Sequence, residues 1–428
     1  MSRAPDPRVA HHRRAVLAWM LYDFANSAFV AVIPATIYST YYVKAVVGNE
    51  GGEGDLWWGR AITLSMVIVA LASPPLGAIA DHGGLRKRFL GLLTYFSVAA
   101  TALMATVGPG DRVWGFLLAV AGTVGFEAAI VYYNAYLPDL APGGRRGRLS
   151  AYGFATGYAG SALALLAALP FALGDAIPGA FLVTAALYGV FAVPAMLWLP
   201  PDRPAALTFA KAVGVGFRET MATLRRIVRL PDLRGFLLAY LFFEDGIVTV
   251  VYFSSIFAAQ TLGFTFAEII YLYFAVQLSA LAGAWLWAKP TDRRGPKFVV
   301  MVTLIQWCAV VTAAYFVQTK PQFYGVAVLA GTGLGAIQAA ARAFMASLIP
   351  RGQEAELFAF YSLCGKASAI MGPIIFGEVS RATGGNQRLA ILAVGVMFVV
   401  GLALLARVRA GGPPDGSPPA RAPAGSAV

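Results

Sequence analysis

The sequence is poor in charged residues, histidine and cysteine. Asp, Glu, Lys and Arg make up 13% of its 428 residues, against roughly 25% in soluble domains. Its three histidines lie in polar segments, and its two cysteines, Cys308 and Cys364, lie in apolar ones. This distribution excludes a disulfide framework and a zinc site, and we expect no metal and no cofactor.

Motifs for nucleotide hydrolysis and for catalysis are also missing from the sequence. It contains no Gly-x-x-x-x-Gly-Lys-Ser/Thr loop, which argues against an ATP-driven pump. It contains no His-Glu-x-x-His and no Gly-x-Ser-x-Gly, so we do not expect an enzyme. The formal net charge is +12, but the basic residues lie in short loops rather than on one face, so we expect no nucleic-acid partner.

Long apolar segments dominate the rest of the chain. Hydrophobic residues make up 58% of it, and the mean hydropathy is +0.68. A run of about 20 apolar residues crosses a ~30 Å hydrocarbon core at ~1.5 Å per residue. We therefore predict an all-α membrane protein with twelve transmembrane helices. The predicted ranges are 15–43, 57–80, 89–107, 113–137, 150–173, 177–199, 235–260, 265–288, 298–317, 322–345, 356–380 and 387–407.

The first apolar segment follows a basic stretch, as the core of a signal peptide does. It is too long for such a core, which has roughly 7 to 15 residues, and it contains Asp23 and Asn26. We therefore predict a retained first helix. Prolines inside the predicted helices mark expected bends at Pro34, Pro194 and Pro373.

Basic residues are distributed unevenly between the predicted loops. With both termini placed in the cytoplasm, 25 of the 33 Lys and Arg residues lie on the inner side and six on the outer side. This asymmetry follows the positive-inside rule. An odd number of helices would break the alternation, so the asymmetry also favours twelve. We predict a multi-pass protein of the cell (plasma) membrane with both termini cytoplasmic.

The longest connection divides the predicted helices into two groups of six. Within it, residues 209–229 show the basic amphipathic pattern that is typical of a helix lying on an anionic membrane surface. The predicted domains are a cytoplasmic segment 1–14, an N-terminal six-helix bundle 15–199, a cytoplasmic linker 200–234, a C-terminal six-helix bundle 235–407 and a disordered cytoplasmic tail 408–428.

A loop motif occurs once in each predicted half. The first copy, after the second helix, contains Gly77, Asp81, Gly84, Arg86 and Lys87, and the second, after the eighth helix, contains Asp292, Gly295 and Lys297. The spacing is the same in both copies, which lie 211 residues apart. Two parallel six-helix repeats with a substrate site between them are a recognised transporter construction. The repeat therefore predicts two pseudo-symmetric six-helix bundles.

Each residue type in the motif has a physical use. Gly77 would let two helices approach closely, and Gly84 would permit a tight turn. Asp81 can meet the positive end of a neighbouring helix or a nearby arginine. The motif could act as a gate, or its charges could only set the topology, and the sequence leaves both possibilities open.

The first copy of the motif resembles the loop signature of the major facilitator superfamily, and the second copy resembles a weakened form of it. Residues 21–29, 133–139 and 148–160 resemble those of the vacuole-effluxer-like branch of that superfamily. The resemblance extends over nearly the whole chain up to the tail and implies a secondary transporter with the major facilitator fold. Fungal members of the branch are similar to amino-acid exporters acting in autophagy, so the resemblance also implies amino-acid transport.

Few ionisable residues lie inside the predicted helices. Each is a candidate functional residue, because a charge in a bilayer is costly unless it faces water or a partner. The resemblance implies that helices 1, 4, 7 and 10 line a central cavity. The candidate cavity residues are Asp23, Glu127, Glu244, Asp245, Arg342 and Lys366, with Asn26, Asn134 and Gln338 as polar neighbours at helical spacing.

Burial disfavours the charged form of a carboxyl group, and a nearby cation favours it. Asp23 and Glu127 are therefore the leading candidates to carry a proton, with Lys366 or Arg342 as the competing cation. An alternative is that these charges form permanent ion pairs that only hold the helices together. Glu244 and Asp245 lie about 100° apart on a helix, so they cannot both face one narrow cavity.

These observations together predict a secondary transporter that moves amino acids or another small polar metabolite, coupled to protons, by alternating access. A lipid or multidrug exporter and a ligand sensor that does not transport are alternatives. The expected partners are a small-molecule substrate, H+ and the lipid bilayer, and we expect a monomer.

Overall fold

The computed structural model describes residues 7–140, 146–202, 204–350 and 353–409. Within these ranges the chain is helical, with short 3-10 and π turns and no strand. The helices are α1 (Pro7–Val32), α2 (Ile37–Tyr41), α3 (Glu53–His82), α4 (Arg86–Leu103), α5 (Arg112–Asn134), α6 (Leu137–Leu140), α7 (Arg146–Leu173), α8 (Ile177–Trp198), α9 (Phe209–Val228), α10 (Pro231–Leu262), α11 (Phe266–Arg294), α12 (Pro296–Phe316), α13 (Lys320–Leu348), α14 (Glu354–Ser368), α15 (Met371–Ala382) and α16 (Gln387–Ala406).

The described residues contain twelve spans that are long and apolar enough to cross a bilayer, as predicted. Two of them are built from more than one helix. The first combines α1, α2 and a π-helical turn, Tyr42–Val47, and the eleventh combines α14 and α15. Helices α6 and α9 do not span, and each other helix forms one span. We call the spans up to α8 the first half and those from α10 the second half.

Two of the three expected proline bends interrupt a helix. Because Pro34 has no N–H, the carbonyl of Val30 instead accepts a hydrogen bond from the Ala35 N–H at 3.2 Å, and α1 ends just before the proline. Pro373 likewise cannot donate to Ala369, and the eleventh span breaks between α14 and α15. Pro194 lies inside α8, which continues through it, so this expected bend is not an interruption.

The helix packing repeats between the two halves. In the first half α1 packs on α8, α3 on α5, and α4 on both α5 and α8. The corresponding pairs recur in the second half, where α10 packs on α16, α11 on α13, and α12 on both α13 and α16. Equivalent helices therefore have equivalent neighbours. The predicted arrangement of two pseudo-symmetric six-helix bundles is confirmed.

Glycines allow the closest helix contacts in each half. Gly160 of α7 lies directly against the Phe24 carbonyl of α1, and Gly335 of α13 lies against the Ala280 carbonyl of α11. A side chain at either position would collide with backbone, which cannot move aside as a flexible side chain can. Gly77 differs from the expectation, because a Cβ atom placed there would meet nothing within 4 Å. Its side of α3 is open rather than packed.

The predicted amphipathic segment 209–229 forms α9 (Phe209–Val228) between the two halves. Its buried ridge includes Ala212 and Gly216, and Gly216 lies against the Pro74 carbonyl of α3. Large apolar side chains on another face, including Phe217 and Met221, are about half exposed. The predicted disordered tail falls outside the described residues from position 410 onward.

Candidate functional site

The bundle has two ends, which the chain reaches alternately. We call the end that carries Asp81 and Asp292 the motif end, and the end that carries Asp55 and Ser380 the opposite end. The two ends differ in how the halves meet there.

Asp55, in the first turn of α3, ties the two halves together at the opposite end. Its exposed fraction is 0%. Its carboxylate accepts hydrogen bonds from Ser380 Oγ at 2.6 Å and from Gln387 Nε2 at 2.8 and 3.0 Å, both in the second half. A further bond comes from Asn49 Nδ2 of the first half at 3.1 Å. A carboxylate of the first half therefore accepts hydrogen bonds from two side chains of the second half.

The helices around Asp55 are in direct contact. Gly59 of α3 lies against the Pro373 carbonyl, and Gly377 of α15 lies against the backbone of Asp55 and Leu56. Further along α3, Thr63 Oγ1 donates to the Ile370 carbonyl at 2.9 Å. The interface between α3 and α15 leaves no room for side chains at its glycines, so the two halves are in close contact at the opposite end.

Sequence reasoning missed Asp55. It stands next to the glycine-rich segment 51–54, directly before the apolar run of the second span and outside the predicted range 57–80. Its partners lie 325 and 332 residues away. The available signal was weak: a carboxylate within an otherwise apolar region, close to the predicted start of a span.

At the motif end, the residues of each loop motif bind within their own half. Arg86 forms an ion pair with Asp139 at 2.7 Å and stacks over the Tyr136 ring at 5.0 Å. Asp81 lies close enough to Arg86 to interact with it electrostatically, as expected of a nearby arginine. The ion-pair partner at hydrogen-bond distance is Asp139, which the sequence did not indicate.

The motif lysines bind the ends of equivalent helices. Lys87 Nζ donates to the carbonyls of Leu197 at 3.5 Å and Leu199 at 2.7 Å, at the end of α8. Lys297 Nζ donates to Ala406 at 3.3 Å and Val408 at 2.5 Å, at the end of α16. A cation at a helix C-terminus meets the negative end of its dipole. Lys297 thus has the structural role of Lys87, although it aligns with Arg86 by spacing.

The motif glycines Gly84 and Gly295 adopt φ values of 62° and 86°, a conformation that glycine adopts readily. The tight turn expected at Gly84 is therefore present. The polar bridge between the halves at this end runs through α9, since Thr223 Oγ1 and Arg226 bind Glu356 at 2.6 and 2.8 Å. Within the described ranges, no hydrogen bond joins one loop motif to the other.

Glu127 of α5 and Lys366 of α14 meet between the two halves. Lys366 Nζ lies 2.6 Å from Glu127 Oε2 and also donates to the Glu127 carbonyl at 2.9 Å. Their side chains are 17% and 12% exposed. Both positions fall near the middle of their spans, so the pair lies at mid-depth. The structure thus brings together the predicted acid and one of its two proposed competing cations.

Asp23 lies in the first half, where α1 faces α7. A Cβ atom placed on Gly153 would lie 3.0 Å from its carboxylate, so the small residues of α7 make room for this side chain. Asn26, on the next turn, and the Tyr133 hydroxyl are within its electrostatic range. In the part of the chain that the structure describes, no cationic side chain contacts Asp23.

Glu244 and Asp245 have different surroundings, as their angular separation predicted. Glu244 lies within electrostatic range of Arg342 on α13 and of Tyr361. Asp245 is 1% exposed and accepts the N–H groups of Met371 at 3.0 Å and Gly372 at 2.9 Å. These are the first N–H groups of α15, so Asp245 caps that helix. It thus holds the break in the eleventh span, and no loop arginine pairs with it among the described residues.

The remaining predicted residues lie on exposed surface. Asn134 is the last residue of α5 and is exposed at the motif end, seven residues, or about two turns, beyond Glu127. Gln338 and Arg342 are one turn apart on α13 and are both exposed.

Several buried polar groups near these charges lack hydrogen-bond partners among the described residues. They are Asn26 Nδ2 and the hydroxyls of Tyr133 and Tyr188. Tyr133 is near Asp23, and Tyr188 is within electrostatic range of Glu127. An unsatisfied buried donor is costly.

Comparison with known proteins supports the sequence resemblance. The family model described as vacuole effluxer Atg22 like matches residues 61–411. The MFS-type transporter YxiO of Bacillus subtilis is 31% identical over 404 residues, which cover 91% of this chain and 94% of YxiO. Autophagy-related protein 22 of Yarrowia lipolytica is 22% identical over 436 residues, which cover 80% of this chain and 73% of that protein.

Solved transporter structures share the fold. The nucleoside transporter NupG matches with a TM-score of 0.68 at 15% identity, covering 92% of this chain and 98% of NupG. An inward-facing, occupied bacterial homolog of the human lysosomal transporter Spinster matches with a TM-score of 0.66 at 13% identity, covering 95% and 98% of the two chains. At these identities the likeness shows the fold alone.

Proposed function

The chain belongs to the Atg22-like vacuole effluxer family of major facilitator transporters, and from this membership we propose that it is a proton-coupled carrier of amino acids or similar small polar metabolites. The observation that carries the proposal is the ion pair between Glu127 and Lys366, which joins the two halves at mid-depth. A substrate that binds there contacts both halves at once. Alternating access requires such a site, because the halves must respond to the same ligand.

The charges of the cavity support a polar substrate. Separating Glu127 from Lys366 leaves two poorly hydrated charges, which is costly unless new partners replace the old ones. A molecule with an ammonium group and a carboxylate supplies a partner for each. A purely apolar molecule supplies neither, so the lipid or multidrug alternative is less well supported by this site.

Asp23 is the best-supported proton carrier. Glu127 forms an ion pair with Lys366, and Arg342 lies within electrostatic range of Glu244. Asp23 lacks such a cation among the described residues and lies beside Asn26 and Tyr133. Binding and release of a proton at Asp23 would therefore change the net charge of the cavity during the cycle. This assignment keeps Asp23 as a leading coupling residue and makes Glu127 part of an ion pair.

The distribution of basic residues supports an orientation with the motif end in the cytoplasm. Both termini would then be cytoplasmic, and the cavity in this conformation would be closed toward the outside by the contacts around Asp55. We propose the cell membrane as the location and a monomer as the working unit. Helix α9 would lie along the inner leaflet, with its exposed apolar face toward the lipid.

Uptake into proteoliposomes tests the proposal. A labelled amino-acid mixture is offered with and without an imposed pH gradient, and the wild type is compared with Asp23→Asn. Asp175→Asn is a matched control, because Asp175 is an exposed loop residue whose positive φ of 52° asparagine also tolerates. Gradient-stimulated uptake that is lost only in Asp23→Asn supports the proposal. Absence of uptake under every condition would contradict it and favour a lipid, a drug or a sensing role.

A further inference from the structure

The carboxylate of Asp55 has an unusual set of neighbours for a fully buried acid. All of its side-chain partners are neutral donors: Asn49, Ser380 and Gln387. No cationic side chain contacts it among the described residues. Buried carboxylates usually have a charged partner. Here three neutral groups replace that partner, and two of them belong to the other half of the molecule.

No charged group on the described segments around this site contacts Asp55. Glu53 binds Arg112, Arg60 binds Glu378, Arg381 binds the Gly51 carbonyl, and Arg388 binds the carbonyls of Tyr315 and Val317. Lys44 and Glu50 are exposed. The charge state of Asp55 therefore depends on the donors that contact it and on its access to water.

These donors favour an ionised carboxylate. Four hydrogen bonds point at its two oxygens. A carboxylate accepts all of them, whereas a protonated carboxyl group must donate its own hydrogen, which the Ser380 hydroxyl can accept only by reversing its bond, and it loses the strength that the negative charge adds to the amide bonds. Protonation must therefore break at least one of these bonds or weaken the whole set.

The broken bonds would be those that close the opposite end. Ser380 is a buried residue near the C-terminal end of α15, and Gln387 is the first residue of α16, so both donors belong to the second half. The opposite end can open only if α3 moves away from α15, and this movement exposes Asp55 to the solution on that side. Closing requires the ionised form again, and hence the release of the proton.

We propose that Asp55 is a second proton-binding site of this carrier, which closes the opposite end when it is ionised and releases that end when it is protonated. The proton comes from the solution at the opposite end. The proposal goes beyond the transport function above, because it concerns the gate and holds whatever the substrate is. It also predicts that the solution pH at the opposite end sets the fraction of molecules open to that side.

Spin-label distances across the opposite end test this proposal in the full chain, reconstituted in lipid nanodiscs. Cys308 and Cys364 are first replaced by alanine. Labels are then placed at Ala176 and Gln318, exposed loop residues of the first and second halves at that end. In the wild type, we expect a short distance at high pH and a growing population of longer distances as the pH falls. In Asp55→Asn, which is neutral at every pH, the longer distances should dominate throughout.

Two further variants separate charge from packing. Ser380→Ala removes one donor and leaves the titratable carboxyl group of Asp55 in place, so it should raise the open fraction and move the pH dependence to higher pH without abolishing it. Arg60→Gln removes an exposed ion pair of the same interface, whose side chains are 52% and 50% exposed, and should behave as the wild type. Distances in Asp55→Asn that match those of the wild type at each pH would overturn the proposal. So would a wild type whose distances do not change with pH.

Discussion

Lys366 of the second half lies 2.6 Å from Glu127 of the first half, and both side chains are largely buried. This contact joins the two bundles at mid-depth, while the contacts around Asp55 join them at the opposite end. A carrier that opens alternately to each side must break the contacts around Asp55 whenever it opens at the opposite end. The contact between Glu127 and Lys366 can persist or be replaced by contacts with substrate.

Breaking the central ion pair should cost both stability and transport. Removing one partner leaves the other charge buried without compensation, so Glu127→Gln and Lys366→Met should each lower the free energy of unfolding by roughly 3–5 kcal/mol. The double variant should recover much of this loss, because it leaves no lone charge, yet it should not recover uptake. Thermal unfolding in detergent and uptake into proteoliposomes measure the two effects. Full uptake by the double variant would contradict a role in substrate binding.

Asp23→Asn should separate substrate binding from proton coupling. The variant keeps the size of the side chain and removes its ability to bind and release a proton. We expect exchange of labelled for unlabelled substrate to continue, because exchange requires no net proton movement. Net uptake driven by a pH gradient should be lost. A pH dependence equal to that of the wild type would exclude Asp23 as the coupling residue.

Glycine substitutions should distinguish closely packed sites from open ones. Gly160→Ala places a methyl group against the Phe24 carbonyl and should destabilise the protein by about 1–3 kcal/mol, as overpacking does. Gly77→Ala places the same group in open space and should be neutral or stabilise α3 by up to ~1 kcal/mol through helix propensity. Unfolding of the two purified variants under the same conditions checks the contrast. Equal destabilisation would show that α3 packs more tightly at Gly77 in another conformation.

The capping contact of Asp245 gives a prediction for the break in the eleventh span. Asp245→Ala removes the acceptor for the first N–H groups of α15, and loss of an N-cap costs about 0.5–2 kcal/mol. Asp245→Asn should be milder, because its amide oxygen can still accept one bond. Uptake should fall in proportion to folded protein, with the pH dependence unchanged. An altered pH dependence would instead return Asp245 to the set of coupling residues.

The spans and their grouping could be predicted from the sequence because hydrophobic length and basic loops are local properties of the chain. The linker helix was found for the same reason, from the amphipathic pattern of residues 209–229. The repeated motif located equivalent loops, but spacing alone matched Lys297 with Arg86. The structure instead gives Lys297 the contacts of Lys87, because both reach the end of the last helix in their half.

The pairing of the charges could not be predicted, since it depends on contacts between distant segments. Glu127 and Lys366 are 239 positions apart, and Asp55 and Gln387 are 332 apart. A single sequence shows which helices carry charges but not which charges meet. The partners of Asp245 could not be predicted for a related reason: they are backbone N–H groups, which are free only because the eleventh span breaks before Pro373.

Proton movement driven by substrate is the most direct test of the central claim. Proteoliposomes containing the wild type and a pH-sensitive dye are given a labelled amino-acid mixture outside, with no imposed gradient, and label and internal pH are recorded together. Coupled transport predicts that the internal pH changes only when label enters, and that Asp23→Asn abolishes the pH change while exchange of label continues. Entry of label into wild-type vesicles without any change in internal pH would contradict proton coupling.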